Sequence, residues 1–294
     1  MNLTYKGIIL AGGRGTRLYP TTCVVSKQLL NVYDKPLIYY PLSTLMLAGI
    51  REILIISTPE QYPQFQKLFG NGEQLGLSIQ YDIQDEPNGL PEAFIIGEEF
   101  IGADNVCLIL GDNIIFGNEL DRILWESQKE SGATVLTYPV KDAERFGIVE
   151  FERFDEGAVV SIEEKPTHPK SNRALIGIYF FDNRCIQYAK ELTPSKRKEL
   201  EIVDLCKKYL STCELKVNNL TRTMHWIDAG TFKSLLLASN LICNLEEIQS
   251  YKISCPEEVA YKRRWIDKEQ LLKLAATYPK GEYQDYLNLL PSLG

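Results

Sequence analysis

KGIILAGGRGTRLYP, residues 6–20, passes in fifteen positions from a short apolar run into a turn that carries three glycines. A run this short and this apolar is expected as a strand buried on both faces of a parallel sheet. The turn that follows lets backbone N–H groups approach phosphate oxygens without Cβ clashes, so Gly12, Gly13 and Gly15 mark a candidate phosphate loop. It is not a Walker loop, because no Gly-Lys-Ser/Thr follows. It also lacks the third glycine of the dinucleotide fingerprint, where Leu18 stands.

Working outward, EILII at 52–56 and VCLIL at 106–110 repeat the buried-strand pattern. Between them, residues 36–49 place Ile38, Leu42, Leu45 and Met46 on one stripe, with Pro near the start and Gly at the end, which predicts a helix. Strand, helix and strand at this interval predict an α/β fold with a Rossmann-like, mostly parallel sheet core flanked by helices. From 133 to 181 the runs ATVLTYPV, FGIVEF, AVVSIEE and ALIGIYFF alternate, with Glu156-Gly157 expected at one turn, so a mixed-sheet part is expected over that core. After Asp228 the pattern turns helical through LLLASNLICNLEEI, a Pro256 helix start and Asp267-KEQLLKL, a C-terminal helical appendage in which Leu235, Leu236, Leu237 and Leu241 are candidate packing residues.

A formal charge of -7 on 294 residues argues against a nucleic-acid binder, which needs clustered Lys and Arg. The first residues lack the charged and long apolar regions of a signal peptide, and the apolar stretch 36–50 is too short to span a bilayer, so a cytoplasmic location is expected. Seven scattered cysteines without a C-x-x-C pair predict reduced thiols, neither a disulfide framework nor a zinc site. Only His168 and His225 are present, and neither has a Ser or Cys nucleophile elbow beside it.

Arg17 inside the glycine turn and Lys27 in Ser26-Lys-Gln28 add two cations to the phosphate-loop candidate. The string GGRGTRLYPTTCVVSKQLL, residues 12–30, resembles the signature of the nucleoside-diphosphate-sugar pyrophosphorylases. The resemblance continues at Asp34-Lys-Pro-Leu-Ile-Tyr-Tyr-Pro41, Leu110-Gly-Asp-Asn113, Glu163-Glu-Lys-Pro166, Glu199-Leu-Glu-Ile202 and Trp226-Ile-Asp-Ala-Gly230, nearly the whole chain. Within that family it is most similar to the members that join glucose 1-phosphate to the thymidylyl group of dTTP.

The resemblance implies a magnesium-dependent transferase (Mg2+ as cofactor) with a nucleotidyltransferase core at 1–231 and a helical region at 232–294 used in homotetramer contacts. It assigns nucleotide contacts to Leu10, Gly12, Gly13, Gly15, Thr16, Arg17, Gln84, Pro87 and Gly89, with Arg17, Lys27 and Lys165 as the catalytic cations. Gly147, Glu164, Lys165, Leu175 and Arg197 would hold the sugar phosphate, and Asp112 and Asp228 the metal. Glu258 and Val259 fall in a segment that serves the family as a regulatory nucleotide-sugar site. On the residues alone, Asp112 is as well read as a cap or turn former, and Gln84 as a polar surface residue.

The residue types suit the reaction. A sugar 1-phosphate has its second pKa near ~6, so it is mostly a dianion at neutral pH and attacks without a general base. What remains is to position it against a polyanionic triphosphate and neutralise the developing charge, which Arg, Lys and a metal can do. The chain departs from the family pattern at Phe146, Ile176, Ala229 and Phe232, several of which are expected to line the sugar side, and at Pro91 and Glu92, where smaller or neutral residues are usual. Three alternatives stay open: a sister enzyme using UTP or another hexose 1-phosphate, an NAD(P)-dependent oxidoreductase on a similar sheet, and a silent sugar-nucleotide sensor.

Overall fold

The computed structural model describes residues 4–13, 15–129, 131–153 and 156–292. Its first half forms β1 (Tyr5–Leu10), a two-strand ribbon of β2 (Asn31–Val32) and β3 (Lys35–Pro36), then β4 (Glu52–Ser57), β5 (Ser78–Ile83) and β6 (Asn105–Leu110). The order β5-β4-β1-β6 is parallel throughout. The chain therefore moves from β1 to one side and returns to β6 on the other. That reversal opens a crevice at the carboxyl ends of β1 and β6, the position where open α/β sheets bind ligands. The two ends are joined there by the Gly111 N–H, which donates to the Leu10 carbonyl at 2.9 Å.

The second half adds β7 (Asn113–Gly117), β8 (Ala133–Pro139), β9 (Gly147–Arg153), β10 (Glu156–Glu164), β11 (Arg173–Phe181), β12 (Leu215–Asn219) and β13 (Met224–Asp228). β11 runs antiparallel to β6 over its second half and to β9 over its first, with β8 along its other edge. This extends the parallel core into the expected mixed sheet. β7 and β13 form a separate antiparallel ribbon that sets Asp228 opposite Asn113. Glu156 pairs with Arg153 and opens β10, so Glu156 and Gly157 belong to a strand and not to the turn predicted there.

Burial alternates with the strand period. Ile9, Ile53, Ile55, Cys107, Ile109, Ile178 and Phe180 belong to one core, and Ile8, Leu54, Ile56, Val106, Leu108, Tyr179 and Phe181 to the other. Both faces of the sheet are covered, as continuous apolar strands require. The helix predicted at 36–49 begins at Tyr39, because Pro36 pairs with Asn31 in the β2–β3 ribbon, and it stops before Gly49, whose φ is +82°.

The helix Phe232–Gln249 opens on a capping box between Thr231 and Ser234. Its five leucines divide: Leu235, Leu241 and Leu245 pack against a core, whereas Leu236 and Leu237 are 62% and 59% exposed. Further on, Cys255, Ala260, Ile266, Leu271, Ala275, Leu287 and Leu290 join the same core as β1 and the helix Tyr39–Leu47. A buried ionic network adds to this attachment. Lys35, 2% exposed, contacts Asp34 and Glu246, and Lys252 contacts the same two carboxylates.

At the end of β11, Asp182 is 5% exposed and ties four elements together. It accepts from the Gly132 N–H at 2.6 Å, the Tyr209 hydroxyl at 2.8 Å and the Arg184 guanidinium at 2.6 Å. Burial alone pushes its carboxyl up, but the donors from Arg184, Gly132 and Tyr209 outweigh burial and hold it below the ordinary value. A depressed folded value stabilises fully above the unfolded carboxylate value and ceases to do so as pH falls through the folded one. Asp182→Ala is therefore expected to cost about 3 kcal/mol in urea unfolding at pH 7, with the difference from the parent shrinking below about pH 4. An unchanged urea midpoint at pH 7 would refute the role.

Candidate functional site

Three of the strands β5-β4-β1-β6 deliver a residue to the crevice. Leu10 closes β1, Gln84 follows β5 with its N–H on the Ser57 carbonyl of β4 at 2.8 Å, and Asp112 follows β6. A cleft of about 220 Å³ lies there, lined by Leu10, Gly12, Gly13, Gln84, Pro87 and Gly89, with Lys27 and Asp112 at its inner end. Gln84 is 5% exposed, so it is a wall of this cleft, and the surface reading does not hold. Gly89 has φ +113°, and a Cβ there would lie 2.1 Å from the Leu200 carbonyl oxygen, so only glycine fits. Of the loop residues expected at the nucleotide, Gly15 and Thr16 line neither this cleft nor its neighbour. Gly15 instead takes φ +61° over the Thr22 side chain and turns the loop.

The loop is held from beneath. Leu18 is fully buried, the Thr22 hydroxyl donates to the Gly15 carbonyl at 2.8 Å, and Ser26 caps the short turn Lys27–Leu29 by accepting from the Gln28 N–H. That turn aims Lys27 inward, where its ammonium contacts the Asp112 carboxylate with side-chain exposures of only 9% and 17%. Burial pushes the Asp112 carboxyl up. Lys27, with a hydrogen bond from Asn113, more than reverses this and holds it below the ordinary carboxylate value.

Asp228 behaves in the opposite sense. Burial and then the nearby Asp112 charge push it above the ordinary value, against the pull of Lys27, Arg17 and Arg145. Arg17 reaches this point from the loop: a Cβ on Gly230 would lie 2.8 Å from the Arg17 guanidinium and 2.9 Å from the Asp228 carboxylate. Two carboxylates and two cations of the predicted set therefore meet at one place.

A second cleft, about 360 Å³, opens beyond it and shares Leu90, Leu110, Asp112 and Glu199 with the first. Its wall comes from the mixed sheet. Glu164 and Gly147 are register partners on β10 and β9, with Leu175 of β11 packed against Gly147. Lys165 takes φ +44° and lies 3.4 Å from Glu164. Arg197 bridges Glu164 at 3.0 Å and Glu201 at 2.6 Å, with Glu199 at 3.7 Å, so this cation is held in place by carboxylates.

Several members of the site were missed from sequence. Glu201 is buried beneath Arg197 and also accepts from the Ser195 hydroxyl. Arg145 stands 3.9 Å from Asp228, and Asn113 joins Asp112 to the Trp226 indole N–H and the Gly177 N–H. The quoted strings Leu110–Asn113, Glu199–Ile202 and Trp226–Gly230 contain Asn113, Glu201 and Trp226, which was the available signal. Of the departures expected on the sugar side, only Phe146 lines the cleft, packed edge-on against Trp226 at 5.2 Å. Ile176 is fully buried because β11 turns alternate side chains away from the cleft, Ala229 is fully buried after β13, and Phe232 sits half-exposed at the start of its helix.

Among the described residues no group of three or more His, Cys, Asp or Glu side chains converges on a cation position, and no helix is long and apolar enough to cross a membrane.

Residues 6–244 match the family described as Nucleotidyl transferase. A glucose-1-phosphate thymidylyltransferase of Neisseria meningitidis is 53% identical over 283 residues, 96% of this chain and 98% of that one. One of Mycobacterium tuberculosis is 50% identical over 282 residues, 96% and 97% of the two chains. Among solved structures, a protein of Bacillus anthracis described as a glucose-1-phosphate thymidylyltransferase, in complex with sucrose, superposes with a TM-score of 0.74 at 40% identity, covering 81% of this chain and 95% of that one. A UDP-glucose pyrophosphorylase with bound UDP-glucose superposes at 0.73 with 23% identity, covering 83% of this chain and 100% of that one, and shares the fold. The chain belongs to the nucleotidyl transferase family, in the branch whose curated members are named glucose-1-phosphate thymidylyltransferase.

Proposed function

We propose that this enzyme transfers the thymidylyl group of dTTP to glucose 1-phosphate and releases pyrophosphate. The observation that carries the reading is the junction of two clefts at Lys27 and Asp112, one walled by Gln84 and Gly89 and the other by Glu164, Lys165 and Arg197. A phosphate oxygen of the sugar phosphate attacks the α-phosphorus, a new P–O bond forms, and the bond to pyrophosphate breaks in line with it. No proton has to be removed from the nucleophile, which agrees with a junction that contains no histidine.

Each residue then has a physical task. Arg17 clamps the triphosphate and Lys27 meets the departing pyrophosphate, while Lys165 and Arg197 neutralise the attacking phosphate. Glu164 accepts from sugar hydroxyls, and Gly147 and Leu175 form the wall it stands on. Leu10, Gly12 and Gly13 bring backbone close to the nucleotide.

Asp112 and Asp228 are suited to magnesium, which keeps several waters and takes one or two carboxylates together with substrate phosphates. The raised Asp228 carboxyl fits this, since two like charges brought together are relieved by a divalent cation. Bound there, the ion would withdraw charge from the triphosphate.

On function, residues 1–231 carry the chemistry and 232–294 the assembly. The exposed apolar side chains Leu236, Leu237 and Ile248 support a homotetramer contact on the helix Phe232–Gln249. Glu258 and Val259 line a cleft of about 220 Å³ with Leu47 and Arg263, which suits a regulatory nucleotide sugar. The absence of a membrane-crossing helix among the described residues is compatible with a cytoplasmic enzyme.

Pyrophosphate release from glucose 1-phosphate and magnesium should be strong with dTTP and weaker with UTP, CTP and ATP. Asp112→Asn is expected to lower kcat by about 100-fold or more with the fold intact by circular dichroism. Release driven best by another nucleotide would overturn the base assignment. Gly230→Ala, whose new Cβ displaces both Arg17 and Asp228, should lower kcat/KM by about tenfold or more without moving the melting temperature. Activity equal to the parent would show that these two groups need not be held together. Leu236→Glu with Leu237→Glu is expected to reduce the mass by light scattering from four chains to fewer and to weaken inhibition by a thymidine-diphosphate sugar. An unchanged mass would remove this face from the interface.

A further inference from the structure

Gln84 is held by a residue that the reaction does not use. Its side-chain nitrogen donates to the Glu92 carboxylate at 2.6 Å and to the Gly89 carbonyl at 3.4 Å. The other carboxylate oxygen of Glu92 accepts from the Asn88 amide at 2.8 Å, which fixes the carboxylate in turn. The carbonyl oxygen of Gln84 points the other way and would lie 2.8 Å from a Cβ on Gly12, on the wall of the nucleotide cleft.

This orientation follows from charge as well as from geometry. A carboxylate has only acceptor oxygens, so turning the amide around would set its carbonyl against the Glu92 oxygens and leave its two N–H donors without those partners. The amide has two donors, and Glu92 and Gly89 take both. Only an acceptor is left to face a ligand.

We propose that Glu92 is a positioning residue for nucleobase specificity: by locking the Gln84 amide, it presents a lone acceptor to the base and selects bases with a ring N–H at that edge. Thymine and uracil carry such an N–H at N3, whereas cytosine presents a lone pair there and would meet oxygen against nitrogen lone pair. The inference rests on the reading of this cleft as the base site. A neutral amide placed at position 92 could turn either end toward Gln84 and would leave the orientation unset.

The test compares equilibrium binding of dTTP and dCTP by calorimetry, and kcat/KM for both, in the parent, Glu92→Gln and Glu92→Asp. The parent should favour dTTP. Glu92→Gln is expected to reduce the dTTP-to-dCTP ratio by about tenfold, through the nucleotide KM with the glucose 1-phosphate KM unchanged. Glu92→Asp, still only an acceptor, should retain most of the preference. A ratio in Glu92→Gln equal to that of a discriminating parent would overturn the role of Glu92 alone. A parent that bound neither nucleotide would overturn the base-site reading itself, and the inference with it.

Discussion

Lys27 and Asp112 meet where water hardly reaches, and much of the molecule is arranged around keeping them together. In a pair this little exposed each charge compensates the other, so each group keeps its partner ionised and in place. The aspartate arrives on the strand β6 and the lysine on a loop, two segments separated by 85 positions of chain. The loop therefore has to be as well defined as the strand. Leu18 beneath it, the Thr22 hydroxyl on Gly15 and the Ser26 cap supply that definition. The same pair places a cation and an anion at the inner end of the first cleft, and Asp112 also lines the second, so a triphosphate there can exchange its own charges for theirs.

The architecture divides the work. Parallel strands end in open, glycine-rich turns on one edge, which suits a ligand that is mostly phosphate and flat base. Antiparallel strands present side chains on a surface, as Glu164 does over the bare backbone of Gly147, which suits the many hydroxyls of a sugar. β11 belongs to both, since it pairs β6 along one half and β9 along the other. The distance between the two substrates is thus set by a continuous hydrogen-bonded sheet. The tail completes one face of that sheet, and the Lys35, Asp34, Glu246 and Lys252 network joins its first helix to the chain just before the helix Tyr39–Leu47.

Much of the site was legible as a string because the loop, the lysine and the two aspartates lie in compact motifs, each beside a strand end. Arg17, Lys27, Asp112 and Asp228 converge as the motifs imply. Residues that act through another residue were not legible. Glu201 holds Arg197, Asn113 and Trp226 hold Asp112, and Glu92 holds Gln84, but a carboxylate or amide that faces a neighbour reads in sequence like one that faces water. The departures at Ile176 and Ala229 show the converse: they differ from the family pattern near the motifs, yet their side chains point into cores.

Composition, strand period and the long loop motif were sufficient for the α/β class, the parallel core and the chemistry of phosphate transfer, because those properties are local and repeat along the chain. Tertiary structure alone decided which polar side chains face each other across the sheet. It made Gln84 a cleft wall, separated Leu235 from Leu236 on one helix, and brought Asp228 next to Asp112 so that their charges act on one another. Such pairings depend on where β6, β7 and β13 cross in space, and electrostatic interaction falls with distance in space, which spacing along the chain does not record.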